Sequence, residues 1–276
     1  MVSDAAPPTF SIVVPSLNQG RFLESAIRSV LEQKYRGVEL IVMDGGSTDE
    51  TSAVIARYER QLTHWVSRPD RGPADALNRG CAMASGDIIG VLNADDFFLP
   101  GALDRVARAF IEHPAADVIS GDGYFADADG ALAVPAFSDR WNLRQFRYGA
   151  CVLLQPATFF RRAAFERTGG FRETGRLCWD MELWADLARA GARFEHINSF
   201  LAAFRLHEAS FTGRAELRRR RVEHARAVLE ELRGRPESAL DQCLTAFHRV
   251  WKFSHHPART VQQRLYFHET LSRWWL

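Results

Sequence analysis

The segment Asp87–Leu92 reads as a buried strand and runs straight into Asn93-Ala94-Asp95-Asp96, with Pro100 shortly after. Two adjacent carboxylates at a strand end repel one another and lose hydration. A hard divalent cation with oxygen ligands, Mn²⁺ or Mg²⁺, offsets that charge and can also hold a diphosphate. An acidic turn capping the next helix is the ordinary alternative for a lone Asp-Asp pair. Here the pair shares its sheet edge with Asp44 and Arg71, which favours the metal. A further carboxylate, Asp180, follows Trp179 at the start of a helical pattern, with Glu182 as its rival two residues on. Aromatic cover would desolvate it and raise its pKa, as suits a general base; a plain helix N-cap is the equal reading. His207, in Arg205-Leu206-His207-Glu208, has two readings of equal weight: a metal or phosphate ligand, and a solvated loop histidine. Asp75, Asn78 and Asp122 are each open to a donor-facing or a purely structural role, and a surface role is preferred for Arg161 and Arg162.

The elements that must position these groups alternate along the first half. Phe10–Pro15 and Val38–Asp44 are continuous apolar runs, as expected of strands covered on both faces. Further strands fit His64–Val66, Asp87–Leu92 and Asp117–Ser120; helices fit the segment after Gly20, Ala74–Ala84 and Gly101–His113. Ser47-Thr48-Asp49 reads as a helix start, with acidic residues at the favoured end. The alternation predicts an α/β fold, a mostly parallel sheet flanked by helices, with ligands at the C-terminal strand ends. In the second half Asp122–Gly130 reads as an acidic turn region, Asp180–Ala190 as helix and Phe194–Leu206 as extended. After Gly213 the chain becomes arginine-rich helix, so a C-terminal helical extension is expected.

Composition narrows the function. In 276 residues, 35 basic side chains face 34 acidic ones, a balance that argues against nucleic acid as a partner. Residues 214–276 carry 13 Arg/Lys against 7 Asp/Glu, net +6, which leaves −5 for residues 1–213. Aromatics and arginines on amphipathic stripes (Leu240, Leu244, Phe247, Val250, Trp251, then Leu265, Phe267, Leu271, Trp274, Trp275 and Leu276) suit a membrane interface, with a helical lid or dimer contact as the alternative. No run approaches the ~18 apolar residues of a spanning helix. Met1–Phe10 lacks the basic start and apolar stretch of a secretory signal. Cys81, Cys151, Cys178 and Cys243 form no CxxC pair. The expected setting is cytoplasmic, with peripheral contact at the inner face of the cell membrane.

Four ordered blocks, VVPSLNQGRFLESAIRSVLEQ, VELIVMDGGSTDET, SRPDRGPADALNRGCAMASGDIIGVLNADD and WDMELWADLARAG, resemble those of family 2 glycosyltransferases with the GT-A fold over residues 10–210. The resemblance implies a nucleoside-diphosphate sugar donor, UDP-sugar favoured, a divalent metal, and inverting transfer to a glycan or polyprenyl-linked acceptor. It places Pro15, Ser16 and Asn18 against the nucleoside, Asp44 on the base or ribose, Arg71 near the nucleotide, and Asn93 and Ala94 in the donor-binding Asp-x-Asp element. Asp95 becomes the metal ligand with Asp96 beside it, His207 a further ligand, and Asp180 the base. Gly45 and Asn93 depart from the family pattern, where Asp is frequent at both. The implied organisation is a catalytic domain over 1–213, with a nucleotide-binding half about 10–120 and an acceptor half about 121–213, then a basic, aromatic helical tail over 214–276. Two other classes compete. A nucleotidyltransferase would open with a Gly-rich basic loop, which Ser16–Arg21 is not. A binding module without catalysis draws its support from Asn93. No GxGxxG follows the first strand, which makes a dinucleotide oxidoreductase the poorer fit.

Overall fold

A computed structural model describes residues 6–173, 177–210 and 212–255. In the first half β1 (Phe10–Ser16), α1 (Gly20–Leu31), β2 (Val38–Asp44), α2 (Thr51–Tyr58), β3 (His64–Ser67), α3 (Pro73–Met83), β4 (Ile88–Val91), β5 (Phe97–Phe98) and α4 (Ala102–Glu112) follow in turn. The second half adds β6 (Val118–Ala126), β7 (Leu132–Ala136), α5 (Leu143–Arg147), β8 (Thr158–Arg161), α6 (Arg162–Glu166), α7 (Trp179–Arg189), β9 (Phe194–Arg205), α8 (Ala215–Arg233) and α9 (Ala239–His255).

One sheet runs β3-β2-β1-β4-β8-β6-β9-β5, with β7 beside β6. β1 to β4 of the nucleotide half are parallel. β8 is antiparallel to both β4 and β6, while β6 and β9 are parallel to each other. The parallel pairing expected of the sheet is therefore concentrated in its first half. Strand alternation splits the core in two. Phe10, Ile12 and Val14 face α1, α2 and α4, whereas Val13, Ile41 and Met43 face α3, α7 and α8.

One sequence expectation changes. The acidic segment Asp122–Gly130 is mostly strand: β6 continues to Ala126, and only Asp127–Gly130 turns. Gly121 and Gly123 serve the pairing and not a turn, because a Cβ on Gly123 would lie 2.3 Å from the Ala202 carbonyl oxygen of β9. α8, the first helix after the expected division at residue 213, packs on the body. Val228 and Leu232 of α8 are buried in the second core cluster beside Leu183 and Trp184 of α7.

α9 is built inside out. Its inner face is polar, with Asp241 held by Arg235 at 2.5 and 2.8 Å and Thr245 Oγ1 donating to the Tyr148 carbonyl. Its outer face carries exposed Leu240, Phe247 and Val250. Leu265, Phe267, Leu271, Trp274, Trp275 and Leu276 lie outside the described residues. No described helix is long and apolar enough to cross a membrane.

If α8 belongs to the catalytic body, Leu232→Ala should lower the unfolding free energy by about 2–4 kcal/mol, the usual range for a buried leucine. Urea denaturation checks this; a loss under about 0.5 kcal/mol would mean that α8 is loosely attached.

Candidate active site

The strand order reverses between β1 and β4, and in open α/β sheets the crevice outside the strand C-termini at such a point takes the ligand. Ser16 ends β1 in register with Asp44 at the end of β2, and Asp44 with Ser67 of β3. Asn93 follows two residues after β4. These expected site residues are therefore gathered at one edge. Ser16 Oγ is buried without a hydrogen-bond partner among the described residues, a polar atom left for a ligand.

The loops after β1 and β2 are tied together. Asn18, at φ 53°, donates its backbone N–H to Ser47 Oγ at 2.7 Å, and its side-chain oxygen accepts from Thr48 N at 2.8 Å. Asp49 accepts from Gly20 N at 2.9 Å. A Cβ at Gly20 would lie 2.6 Å from Thr51 N, so the two helix starts approach this closely only with glycine there. The Asp44 carboxylate accepts from Ser47 N, Ser47 Oγ and Ser67 Oγ, the last at 2.6 Å, and so fixes the floor of the loop pair. Gly45 has a local reason. Its Cβ position lies 2.7 Å from Asp70 Oδ2, and an aspartate there would set a second carboxylate against the first.

The Asn93–Asp96 turn is closed by Asp96 N donating to the Asn93 carbonyl at 2.9 Å. Its two carboxylates point different ways. Asp96, expected beside Asp95 as a metal ligand, turns inward: Oδ1 accepts from Arg205 N at 2.9 Å and Oδ2 from Asn93 Nδ2 at 3.2 Å. Full burial, with Asp95 next to it, pushes its carboxyl well above the usual range. Asp96 is thus a structural acid in this fold. Asp95 instead meets His207, with Oδ2 3.1 Å from Nε2 and both residues buried. Ala94 packs into the apolar core, so only its backbone can serve a donor.

Arg205 and Phe22 were not singled out by the sequence. The Arg205 guanidinium donates to the Asp95 carbonyl at 2.8 Å and lies between the rings of Phe22 and Phe97, 5.0 and 5.2 Å from their centroids. Phe22 also packs on the His207 ring at 4.4 Å. The readable signal was the i, i+2 spacing of Arg205 and His207, which puts both on one face of an extended chain. A cavity of about 660 Å³ opens beside His207, lined also by Asn18, Arg21, Phe22, Phe125 and Val134.

The remaining expected residues separate into two groups. Arg71 is exposed and pairs with Asp75 at 3.0 Å and Glu173 at 2.8 Å, linking the β3–α3 loop to the stretch before α7. Asp75 is buried between Arg71 and Arg79, and Asn78 holds the Phe171 backbone through both side-chain atoms, so both stabilise α3. Asp122 accepts from Ser138 N at 3.0 Å inside the sheet. Arg161 and Arg162 donate to backbone carbonyls at Ala116 and Gly86. Asp180 sits in the first turn of α7, partly buried, and burial pushes its carboxyl up.

The departure at Asn93 follows from its two donated bonds, to Asp96 Oδ2 and to Gln155 Oε1 at 2.9 Å. Asn93→Asp would replace the donor by a third carboxylate facing two acceptors. It should cost about 1–3 kcal/mol in urea denaturation at pH 7, and the deficit should shrink as the pH falls toward about 4, because a carboxylate set against two acceptors takes up its proton above the ordinary aspartate range. Equal stability of the two proteins at pH 7 would refute this account.

The model of the family described as Glycosyl transferase family 2 matches residues 11–169. The uncharacterized glycosyltransferase Rv1514c of Mycobacterium tuberculosis is 34% identical over 172 residues, 59% of this chain and 63% of that protein, so the chain spans under two thirds of this relative's length. The succinoglycan biosynthesis protein ExoU of Rhizobium meliloti is 31% identical over 249 residues, covering 82% of this chain and 70% of the relative. Among solved structures, the mannosyltransferase PcManGT of Pyrobaculum calidifontis, in complex with GDP-Man and Mn²⁺, has TM-score 0.63 at 20% identity over 90% of this chain and 72% of that one. With the switch-point crevice and its acidic turn, these matches give one conclusion: the chain belongs to family 2 of the glycosyltransferases and has the GT-A fold.

Proposed function

We propose that the chain is a metal-dependent, inverting glycosyltransferase that moves a sugar from a nucleoside-diphosphate sugar to a hydroxyl of a glycan or lipid-linked glycan. The carrying observation is the Asp95–His207 pair beside the crevice, with Ser16 Oγ left unpaired at its floor. ExoU is named for succinoglycan biosynthesis, and PcManGT was solved with GDP-Man and Mn²⁺, which supports the same class of donor and ion here.

The donor set fits a hard divalent ion. Neighbouring ligands of an octahedral ion with bonds of about 2.1 Å lie about 3 Å apart, and Asp95 Oδ2 and His207 Nε2 are 3.1 Å apart. Among the described residues no cluster of three or more His, Cys, Asp or Glu could hold an ion. Asp95 and His207 would hold such an ion together with oxygen ligands from outside the chain. Bound there, a divalent cation supplies neutralisation of the charge that develops on the leaving diphosphate.

The chain's own residues divide the remaining work. Asp44, Ser16 and the Asn18–Ser47 stitch shape the nucleoside side, and Arg71 is free to exchange its exposed carboxylate partner for the nucleotide, since such surface pairs contribute little. Asp180 comes from the other half of the chain and takes the proton of the acceptor hydroxyl as it attacks C1. Its raised pKa suits a base that must hold that proton and then release it. Peripheral membrane contact belongs to the same proposal, supported by the outward apolar stripe of α9 and the net basic charge from residue 214 onward.

Calorimetric titration with UDP and GDP tests the donor side: affinity should fall at least tenfold in EDTA and in Asp95→Ala with Mn²⁺ present. Asp180→Asn should bind nucleoside diphosphate normally yet transfer sugar about 10²–10⁴-fold more slowly. Affinity indifferent to EDTA, or turnover of Asp180→Asn within a few fold of wild type, would sink the respective half. For the membrane, Leu240→Asp with Phe247→Asp should reduce sedimentation with phosphatidylglycerol vesicles at low salt and leave nucleotide binding unchanged. Wild-type protein that stays in the supernatant removes that part.

A further inference from the structure

Two helix turns meet beside Asp180, and one of them comes from the segment assigned by sequence to a tail. Glu182 of α7 is 4% exposed, and its Oε1 lies 3.0 Å from His224 Nε2 on α8. A carboxylate only accepts, so the imidazole N–H donates. Glu182 Oε2 and His224 Nδ1 are buried without other hydrogen-bond partners among the described residues, so each side chain depends on the other. A buried carboxylate without a partner is strongly unfavourable, and this one is two residues from the proposed base.

We propose that His224 is a positioning residue for Asp180: through Glu182 it holds the first turn of α7 against α8 and balances the carboxylate charge nearest the base. The inference rests on the reading of Asp180 as the base. Asp180 sits in a field of two signs. Burial raises its pKa, the Glu182 charge raises it further, and His224 lowers it. The other groups facing this corner are Cys178, at the start of α7, and Arg221 of α8. Cys178 Sγ lies 3.6 Å from the Arg221 carbonyl, and burial, with the Asp180 and Glu182 charges, pushes the thiol up to about 12, which keeps it neutral. Burial also lowers the pKa of the Arg221 guanidinium. His224 is therefore the α8 group that answers Glu182 directly. A helix beyond the family-matched residues 11–169 completes the electrostatics of the acceptor half.

The test follows the Asp180 carboxyl by ¹³C NMR in full-length protein labelled at aspartate Cγ, the resonance being assigned by its loss in Asp180→Asn. His224→Gln keeps an N–H donor but no cationic form, and should move the Asp180 midpoint up by about 0.5 pH unit or more. Glu182→Gln should move it down, and the double variant should return it to within about 0.2 unit of wild type. Shifts of the same sign, an unmoved midpoint in His224→Gln, or a double variant as displaced as the single one overturns the proposal. If His224→Gln fails to fold by circular dichroism, Glu182→Gln decides alone, an unmoved or raised midpoint being the overturning result. Failure of the base reading registers elsewhere, as wild-type turnover by Asp180→Asn, and leaves these titrations interpretable.

Discussion

Two adjacent aspartates cannot both remain charged and unpartnered at a buried strand end, and the fold resolves that conflict by separating their roles. Asp96 turns inward, takes a backbone N–H from β9 and is held toward its neutral form by burial. Asp95 turns out to His207 while its carbonyl is gripped by Arg205. Both partners, Arg205 at the end of β9 and His207 just after it, lie more than a hundred residues away in sequence. The site is therefore a seam between the two halves, and the sheet order that brings β9 beside β5 is what makes it possible.

Phe22 extends that seam into α1. Its ring lies against both the Arg205 guanidinium and the His207 imidazole. A planar cation packed between two aromatic faces keeps its charge while losing much of its water, an arrangement that suits arginine better than lysine. The β1–α1 turn is in turn tied to the β2–α2 turn through Asn18, Ser47 and Asp49. The β1–α1 and β2–α2 turns, the acidic turn and β9 are thus joined by hydrogen bonds and by the packing of the Phe22 ring.

Sequence reading was most successful where burial is two-sided. β1 and β2 appear as predominantly apolar runs because helices cover both faces of a parallel sheet. The place of Asp95 at a strand end is legible from residue type and position. His207 stayed undecided because its partner is 112 residues away, a separation that no local pattern reports. β6 was hidden because Gly121, Asp122 and Gly123 carry the composition of a turn, although close approach to β9 is what requires those glycines. α8 reads as a helix with an apolar packing stripe that runs to Leu232. Its arginines dominate its composition, while its docking depends on Val228 and Leu232 and on one histidine. Asp96 shows the limit of charge counting: an acidic pair reads as two ligands until one of them is seen to be spent on backbone.

The closure of the acidic turn by β9 also has a consequence in time. A chain emerging from the ribosome presents β1, β2 and β4 early, all parallel and paired through local crossovers. The partners of Asp95 and Asp96 are synthesised more than a hundred residues later, and contacts of such high sequence separation form slowly. Until β9 is made, the turn after β4 carries two neighbouring carboxylates with neither Arg205 nor His207 to receive them. Assembly of the nucleotide half alone would then leave the Asp95–His207 pair unformed, so that the proposed ion site is completed only with the second half of the polypeptide and not with the first.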